Sequence, residues 1–209
     1  MKNDFIYRKK GVLSEEDCSS LIDLFESHPE WQCKGTTGGD RVYDVTLKKD
    51  TEMILNFNQP PNSRWILDYL KGCVDEYVEK YPALNDHVRT WGCWEIYKIQ
   101  RYLPGEGYFS QHVENSGPCA DEEPILRRIL AWMIYLNDVT DGGQTAFPTQ
   151  NKKFQPRAGD LLMWPAYFTH PHHGIVSKTQ TKYIATGWCC FEETHNEDHY
   201  LKYLSSTFN

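Results

Sequence analysis

Three histidines stand within four positions in Phe168-Thr-His-Pro-His-His-Gly174, directly after the apolar run Leu161-Leu-Met-Trp-Pro165. The chain has 8 histidines in 209 residues, so this clustering asks whether one of them binds a metal. A metal doing oxidative chemistry is suited by two neutral imidazoles and one carboxylate on a single face, with the remaining positions open. A structural zinc site would instead close its tetrahedron. In an extended strand residues i and i+2 share a face, so H-x-D or H-x-E presents two such ligands together.

Roughly one H-x-(D/E) pair is expected by chance from 8 His and 29 Asp+Glu, and the chain has three. His28-Pro-Glu30 falls at the end of a predicted helix, where i and i+2 do not face the same way. His195-Asn-Glu197 sits in the acidic stretch Glu192–His199, which reads as a solvated tail. His112-Val-Glu114 follows a predicted strand and a Gly-rich turn, and it precedes the histidine cluster by 60 residues, room for several strands. His112 and Glu114 are therefore the candidate ligand pair, and His87 carries no functional signal. In an extended FTHPHHG segment His170 and His172 would share a face and His173 would point away. The third ligand is then His172 or His170.

The elements that must position these groups are legible in part. Ser14-Glu-Glu-Asp17 reads as a capping box, followed by Cys18, Leu21, Ile22 and Phe25 at helical spacing. A second helix is predicted from about Asn62-Ser63, with Ile66, Leu70, Cys73, Val74, Tyr77 and Val78 on one face, ending before Pro82. Both stripes read as packing faces. Between them Arg41-Val-Tyr-Asp-Val-Thr46 reads as a strand-like piece. From Trp91 onward short aromatic and β-branched runs alternate with turn clusters: Trp94–Leu103, Arg128–Leu136, Leu161–Trp164 and Tyr183–Phe191. That spacing predicts an all-β sandwich or jelly roll with helices packed on one face.

The bulk numbers set the outer limits. A chain with 40% hydrophobic and 14% aromatic residues suits a globular fold. Its formal charge of −7 disfavours nucleic acid or an anionic membrane as the main partner. No window approaches a membrane span, the N-terminus has no apolar signal region, and the seven cysteines form no C-x-x-C pair. A cytoplasmic setting is the expectation.

Several motifs then occur in order: Gln100-Arg-Tyr102, Gly105-x-Gly-Tyr108, His112-x-Glu114, Tyr135-Leu-Asn-Asp138, Gly142-Gly-Gln-Thr145-x-Phe-Pro148, Gly159-Asp160, and His172 followed by Lys182-Tyr183. Together they resemble the prolyl 4-hydroxylase-like 2-oxoglutarate/Fe(II) oxygenases, especially compact bacterial and phage-type members. The match runs from about Trp91 to Phe191. The resemblance implies a mostly β fold, a double-stranded β-helix (jelly roll) braced by N-terminal helices. One domain over 1–209 is expected, with helical support at about 14–82 and the jelly-roll core at about 91–191. It also implies Fe(II) held by His112, Glu114 and one histidine of the cluster.

A basic residue about ten positions after the distal histidine binds the C5 carboxylate of 2-oxoglutarate in this family. Lys182 lies ten after His172, which favours His172 and leaves His170 as second choice. Tyr102 matches a tyrosine that bonds the same carboxylate. Thr145 and Trp188 fall where relatives line the cosubstrate pocket, with core packing as the alternative. Gly142-Gly143 reads as a tight turn with positive φ. The departure is Glu114, where the family usually has Asp. The implied reaction hydroxylates a substrate C–H bond with 2-oxoglutarate and O2, with ascorbate as an optional reductant. The leading substrate is a prolyl residue in a peptide or protein, the alternative a free amino acid or other small molecule. A non-catalytic jelly-roll binding protein would have lost a ligand or Lys182, and both are kept. The segments Gly35–Lys49 and Glu114–Leu126 flank the predicted mouth as candidate closing loops.

Overall fold

The structure, a computed structural model, describes residues 4–37, 43–59, 63–86, 90–116 and 123–192. His87, Cys119, His195 and Glu197 lie outside the described residues, as do parts of both candidate closing loops. In chain order the elements are β1 (Tyr7–Lys9), α1 (Glu15–Ser27), β2 (Gln32–Lys34), β3 (Lys48–Lys49), β4 (Thr51–Asn56), α2 (Trp65–Lys80), α3 (Ala83–Asp86) and β5 (Trp91–Tyr102). They continue with β6 (Gly107–Tyr108), α4 (Glu123–Arg127), β7 (Arg128–Tyr135), β8 (Thr145–Phe147), β9 (Lys152–Phe154), β10 (Leu161–Pro165), β11 (His173–Gly174) and β12 (Lys182–Phe191).

Helix α1 starts where its capping box predicts. Asp17 N–H donates to Ser14 Oγ at 3.0 Å, and Ser14 N–H donates to the Asp17 carboxylate at 3.1 Å. Its buried side chains Cys18, Leu21 and Phe25 and those of α2, Ile66, Leu70, Cys73 and Tyr77, enter one core cluster. Sheet residues Met53, Tyr97, Ile99, Trp132, Ile134 and Ala185 complete that cluster, so the helices cover one face of a sheet.

That sheet has seven antiparallel strands in the order β1-β10-β7-β12-β5-β4-β2. The period-2 pleat sorts its residues. On β7, Leu130, Trp132 and Ile134 face the helices, while Ala131, Met133 and Tyr135 belong to a second cluster with Phe147, Leu162 and Trp164. The second cluster lies against a smaller layer, made of the three-stranded sheet β11-β8-β9 and the ribbon β3-β6. An antiparallel bridge between His112 and His172, with reciprocal N–H···O bonds of 2.9 Å, ties into this layer. Two antiparallel layers enclosing a core form the expected jelly roll.

One reading of the middle segment changes. The described part of Arg41–Thr46 is not a strand. Asp44 caps a turn there instead, taking the Thr46 N–H at 2.8 Å on its side chain and the Leu47 N–H at 3.0 Å on its carbonyl. The strands of this region are β3 and β4, a few residues later. The turn at Gly142-Gly143 has φ of +116° and +74°, as expected, and a Cβ on Gly142 would meet the Val176 carbonyl oxygen at 2.2 Å. Among the described residues no helix is long and apolar enough to cross a membrane.

Candidate metal centre and cosubstrate pocket

His112 and Glu114 follow β6, and His172 immediately precedes β11, so the backbone bridge between the two histidines sets both imidazoles on the inner side of the smaller layer. One ligand atom from each of His112, Glu114 and His172 lies within 4.8 Å of the other two. Glu114 Oε1 is 3.2 Å from His172 Nε2 and 3.7 Å from His112 Nε2. The other ring nitrogens meet backbone carbonyls, His112 Nδ1 with Ser110 O at 3.2 Å and His172 Nδ1 with His170 O at 3.0 Å. A neutral imidazole that donates from Nδ1 to such a carbonyl keeps its lone pair on Nε2, the atom that faces the carboxylate here.

Packing fixes the rings. Tyr108 stacks on His112 at 3.5 Å between centroids, and Phe147 and Trp164 flank His172 at 5.3 and 4.9 Å. Burial, reinforced by the neighbouring His172, pushes the His112 pKa down and favours the neutral form that ligates. Burial alone would raise the Glu114 carboxyl, but the adjoining imidazoles of His112 and His172 outweigh it and hold the pKa well below the usual range. The second Glu114 oxygen is occupied. Trp188 Nε1–H donates to Oε2 at 2.8 Å, while Arg128 Nη1 donates to the Glu114 carbonyl at 3.0 Å and lies 3.9 Å from Oε2. The Arg128 guanidinium is stacked 3.7 Å over the Trp188 ring. This donor set of two imidazoles and one carboxylate, gathered on one side and open to a cavity, fits Fe(II).

The cavity has a volume of about 440 Å³ and is lined by all three groups and by Tyr102, Thr145, Lys182 and Trp188. Lys182 pairs with Tyr102 across β12 and β5, and its buried ammonium donates to Gly143 O at 3.3 Å and lies 4.7 Å from the Tyr102 ring centre. Desolvation lowers its pKa to about 8, with the charge of Asp50 opposing that shift. Tyr102 donates to Gln100 Oε1 at 3.2 Å, and Thr145 Oγ1 accepts from Tyr135 at 2.7 Å. All four cosubstrate candidates thus line the cavity, with Trp188 additionally bonded to Glu114.

His170 is placed elsewhere. Its Nε2 meets Asp4 O at 2.8 Å and its Nδ1 meets Thr169 Oγ1 at 2.9 Å, so the ring faces the N-terminal segment. The cluster is not extended through His170, whose N–H closes a turn onto Tyr167 O at 2.9 Å, so strand parity does not relate it to His172. His173, expected to point away, is at the cavity wall. His28 caps α1 and stacks on Trp31.

Sequence reasoning assigned no site role to Arg128, nor to a buried ionic cluster beside the cavity. There Glu52 accepts from Lys48, from Lys98 at 2.9 Å and from Gln100 at 2.6 Å, and Lys48 lies 3.2 Å from Asp50. No local pattern signals this cluster, because sheet register (Glu52 opposite Gln100, Ile54 opposite Lys98) assembles it.

Residues 97–190 match the model described as the 2OG-Fe(II) oxygenase superfamily. The proteins this chain resembles in sequence and in fold include several prolyl hydroxylases. The chain is 34% identical over 106 residues to a putative prolyl 4-hydroxylase of Acanthamoeba polyphaga mimivirus, covering 45% of this chain and 44% of that protein. The chain spans about half the length of the curated relatives it matches first. Its fold is that of the viral collagen prolyl hydroxylase from Paramecium Bursaria Chlorella virus-1 in its 2OG complex, with TM-score 0.64, 19% identity and coverage of 90% of this chain and 97% of that one. A Trichoplax adhaerens prolyl hydroxylase, solved with a hypoxia inducible factor oxygen degradation domain peptide fragment, superposes with TM-score 0.68 at 21% identity, covering 97% and 88%.

Proposed function

We propose that this protein is a 2-oxoglutarate- and Fe(II)-dependent hydroxylase acting on a prolyl residue of a peptide or protein. The observation that carries the reading is the convergence of His112, Glu114 and His172 beside a cavity that also holds the buried ammonium of Lys182, which has no carboxylate partner among the described residues. His112 and His172 would hold Fe(II) through Nε2, and Glu114 through Oε1. Bound there, Fe(II) supplies the O2 activation that couples oxidative decarboxylation of 2-oxoglutarate to hydroxylation of a C–H bond.

The protein's own residues hold and orient. Lys182 offers a charge-assisted partner to the distal carboxylate of 2-oxoglutarate, a strong interaction in a desolvated pocket. Tyr102 walls the same end, and its ring beneath the ammonium keeps that end dry. Thr145 accepts from Tyr135 and donates to Met133 Sδ at 3.9 Å, which fixes its hydroxyl at the cavity wall. Trp188 and Arg128 keep Glu114 oriented with one oxygen toward the imidazoles. A peptide substrate is supported by the relatives, one of which is solved with a bound peptide fragment.

Anaerobic addition of Fe(II) and then 2-oxoglutarate tests the site, read by the visible charge-transfer band of a chelated complex. The band is expected with the unaltered protein and absent from His112→Ala and His172→Ala. Succinate release stimulated by proline-containing peptides tests the reaction. Failure of the unaltered protein to bind 2-oxoglutarate in the presence of metal would sink the oxygenase reading.

A further inference from the structure

The register of the large sheet separates the cavity wall into columns. Along β12 run Lys182, Ile184, Thr186 and Trp188, which leads from the cosubstrate lysine to the anchor of Glu114. One strand over, about 4.8 Å away, Gln100, Lys98, Ile96 and Trp94 line the cavity from β5. A further strand over, Glu52 and Ile54 do so from β4. In the reading above 2-oxoglutarate occupies the end of the cavity at Lys182 and Tyr102, which leaves the stretch of β5 from Lys98 to Trp94 and the neighbouring β4 to the molecule being oxidised.

The hydrogen-bonding capacity of that side is one-sided. Glu52 already accepts from Lys48, Lys98 and Gln100 and is 2% exposed, so it has no place for a substrate cation. Asp50 is buried behind Lys48. Lys98 gives a single N–H to Glu52 at 2.9 Å, and its side chain keeps 22% exposure, so two N–H donors remain toward the cavity. Lys34, exposed on β2, lines the same wall. In a chain of net charge −7 this is a local inversion: the acids are turned inward, and the charged groups that reach the wall from this side are the ammonium groups of Lys98 and Lys34.

We propose that the substrate carries a carboxylate close to the oxidised carbon and that Lys98, assisted by Lys34, recognises it. This rests on the oxygenase reading and deepens it by naming the substrate's charge. The carboxylate comes either from an acidic side chain of a peptide or from a free amino acid, and Lys98 is in both cases the specificity-determining residue.

The test uses the full chain loaded with Mn(II) and 2-oxoglutarate, with ligand binding followed by calorimetry. Three probes are compared: acetyl-Glu-Pro-Glu-amide, acetyl-Gln-Pro-Gln-amide and free L-proline. At least one carboxylate-bearing probe is expected to bind tenfold or more tighter than the Gln peptide, and the winner identifies the source. Raising the salt concentration should shrink the difference. Lys98→Gln should erase the preference, and Lys98→Arg, which keeps charge and donors, should retain it. Equal or unmeasurable binding of all three probes, tighter binding of the Gln peptide, or a preference that survives Lys98→Gln overturns the inference. If 2-oxoglutarate itself does not bind with Mn(II), the oxygenase reading falls and this inference with it; if it binds and the carboxylate preference is missing, only the inference falls.

Discussion

A glutamate is one methylene longer than the aspartate usual at its position, and that reach is useful only if the carboxylate is held. Trp188 Nε1–H at 2.8 Å and Arg128 at 3.9 Å engage one oxygen and leave Oε1 for the imidazoles. Removing the indole donor by Trp188→Phe should weaken Fe(II) affinity about 10- to 100-fold while the fold is kept, as expected for loss of a partner that orients a ligand. Competition with a metal chelator measures this, and an unchanged affinity would remove Trp188 from the assembly. His172→Ala should abolish metal binding, whereas His170→Ala and His173→Ala should leave most of it, checked by the same titration. At Lys182, burial sets the pKa to about 8, so the ammonium proposed to hold 2-oxoglutarate is present below that pH and lost above it. The Kd for 2-oxoglutarate should therefore rise as pH climbs past about 8, and Lys182→Arg should flatten that rise. The candidates His112 and Glu114 were legible from their i and i+2 spacing, whereas Lys182, ten positions after His172, was implied by the family resemblance. Arg128 was not legible, because its contact with Trp188 spans two neighbouring strands and leaves no mark on local sequence.

At the scale of elements, what could be read ahead was whatever is stabilised locally. The capping box of α1, the apolar stripe of α2 and the long β5, β7, β10 and β12 all declare themselves in periodicity or composition. The two-residue strands β3, β6 and β11 do not, since each exists only through its partner, Lys48 opposite Tyr108 and His173 opposite Ala146. Those short pieces carry Tyr108, Lys48 and the approach of His172, so the strands of the smaller layer were not legible although the candidate ligands beside them were. Within β12, Gly187 is the pivot between the two faces. A Cβ there would stand 2.5 Å from Cζ2 of the fully buried Trp132, too close for either strand to absorb without moving. Gly187→Ala is expected to destabilise by about 1–3 kcal/mol, the usual cost of overpacking. Because Thr186 and Trp188 flank it, metal affinity should fall as well. Denaturant midpoints and the metal titration check the two effects together; a stable variant with unaltered metal binding would mean that Trp132 can repack.

Over the whole molecule the electrostatics run against the bulk charge, with buried cations and acids concentrated between the layers in a chain that is net acidic. Two buried acids there titrate in opposite directions. Burial would raise Glu52, but Lys48 and Lys98 outweigh it and bring the pKa to about 2. Its contribution to stability is present above pH 4.5 and lost as pH falls through about 2. Asp50 is dominated by burial, only partly offset by Lys48, and its pKa is raised to about 6. A raised acid favours the native state in its neutral form, so this contribution is full below about pH 3.8 and disappears as pH rises through 6. Asp50→Asn fixes the neutral form. Relative to the unaltered protein it should therefore gain on the order of 1 kcal/mol between pH 5 and pH 8. Urea unfolding of both proteins at the two pH values gives the double difference, which is insensitive to any constant cost of the amide itself. A difference that stays the same at both pH values would show that Asp50 is ionised throughout, held by Lys48 as a fixed pair, and that the cluster beside the cavity keeps one charge state across the neutral range.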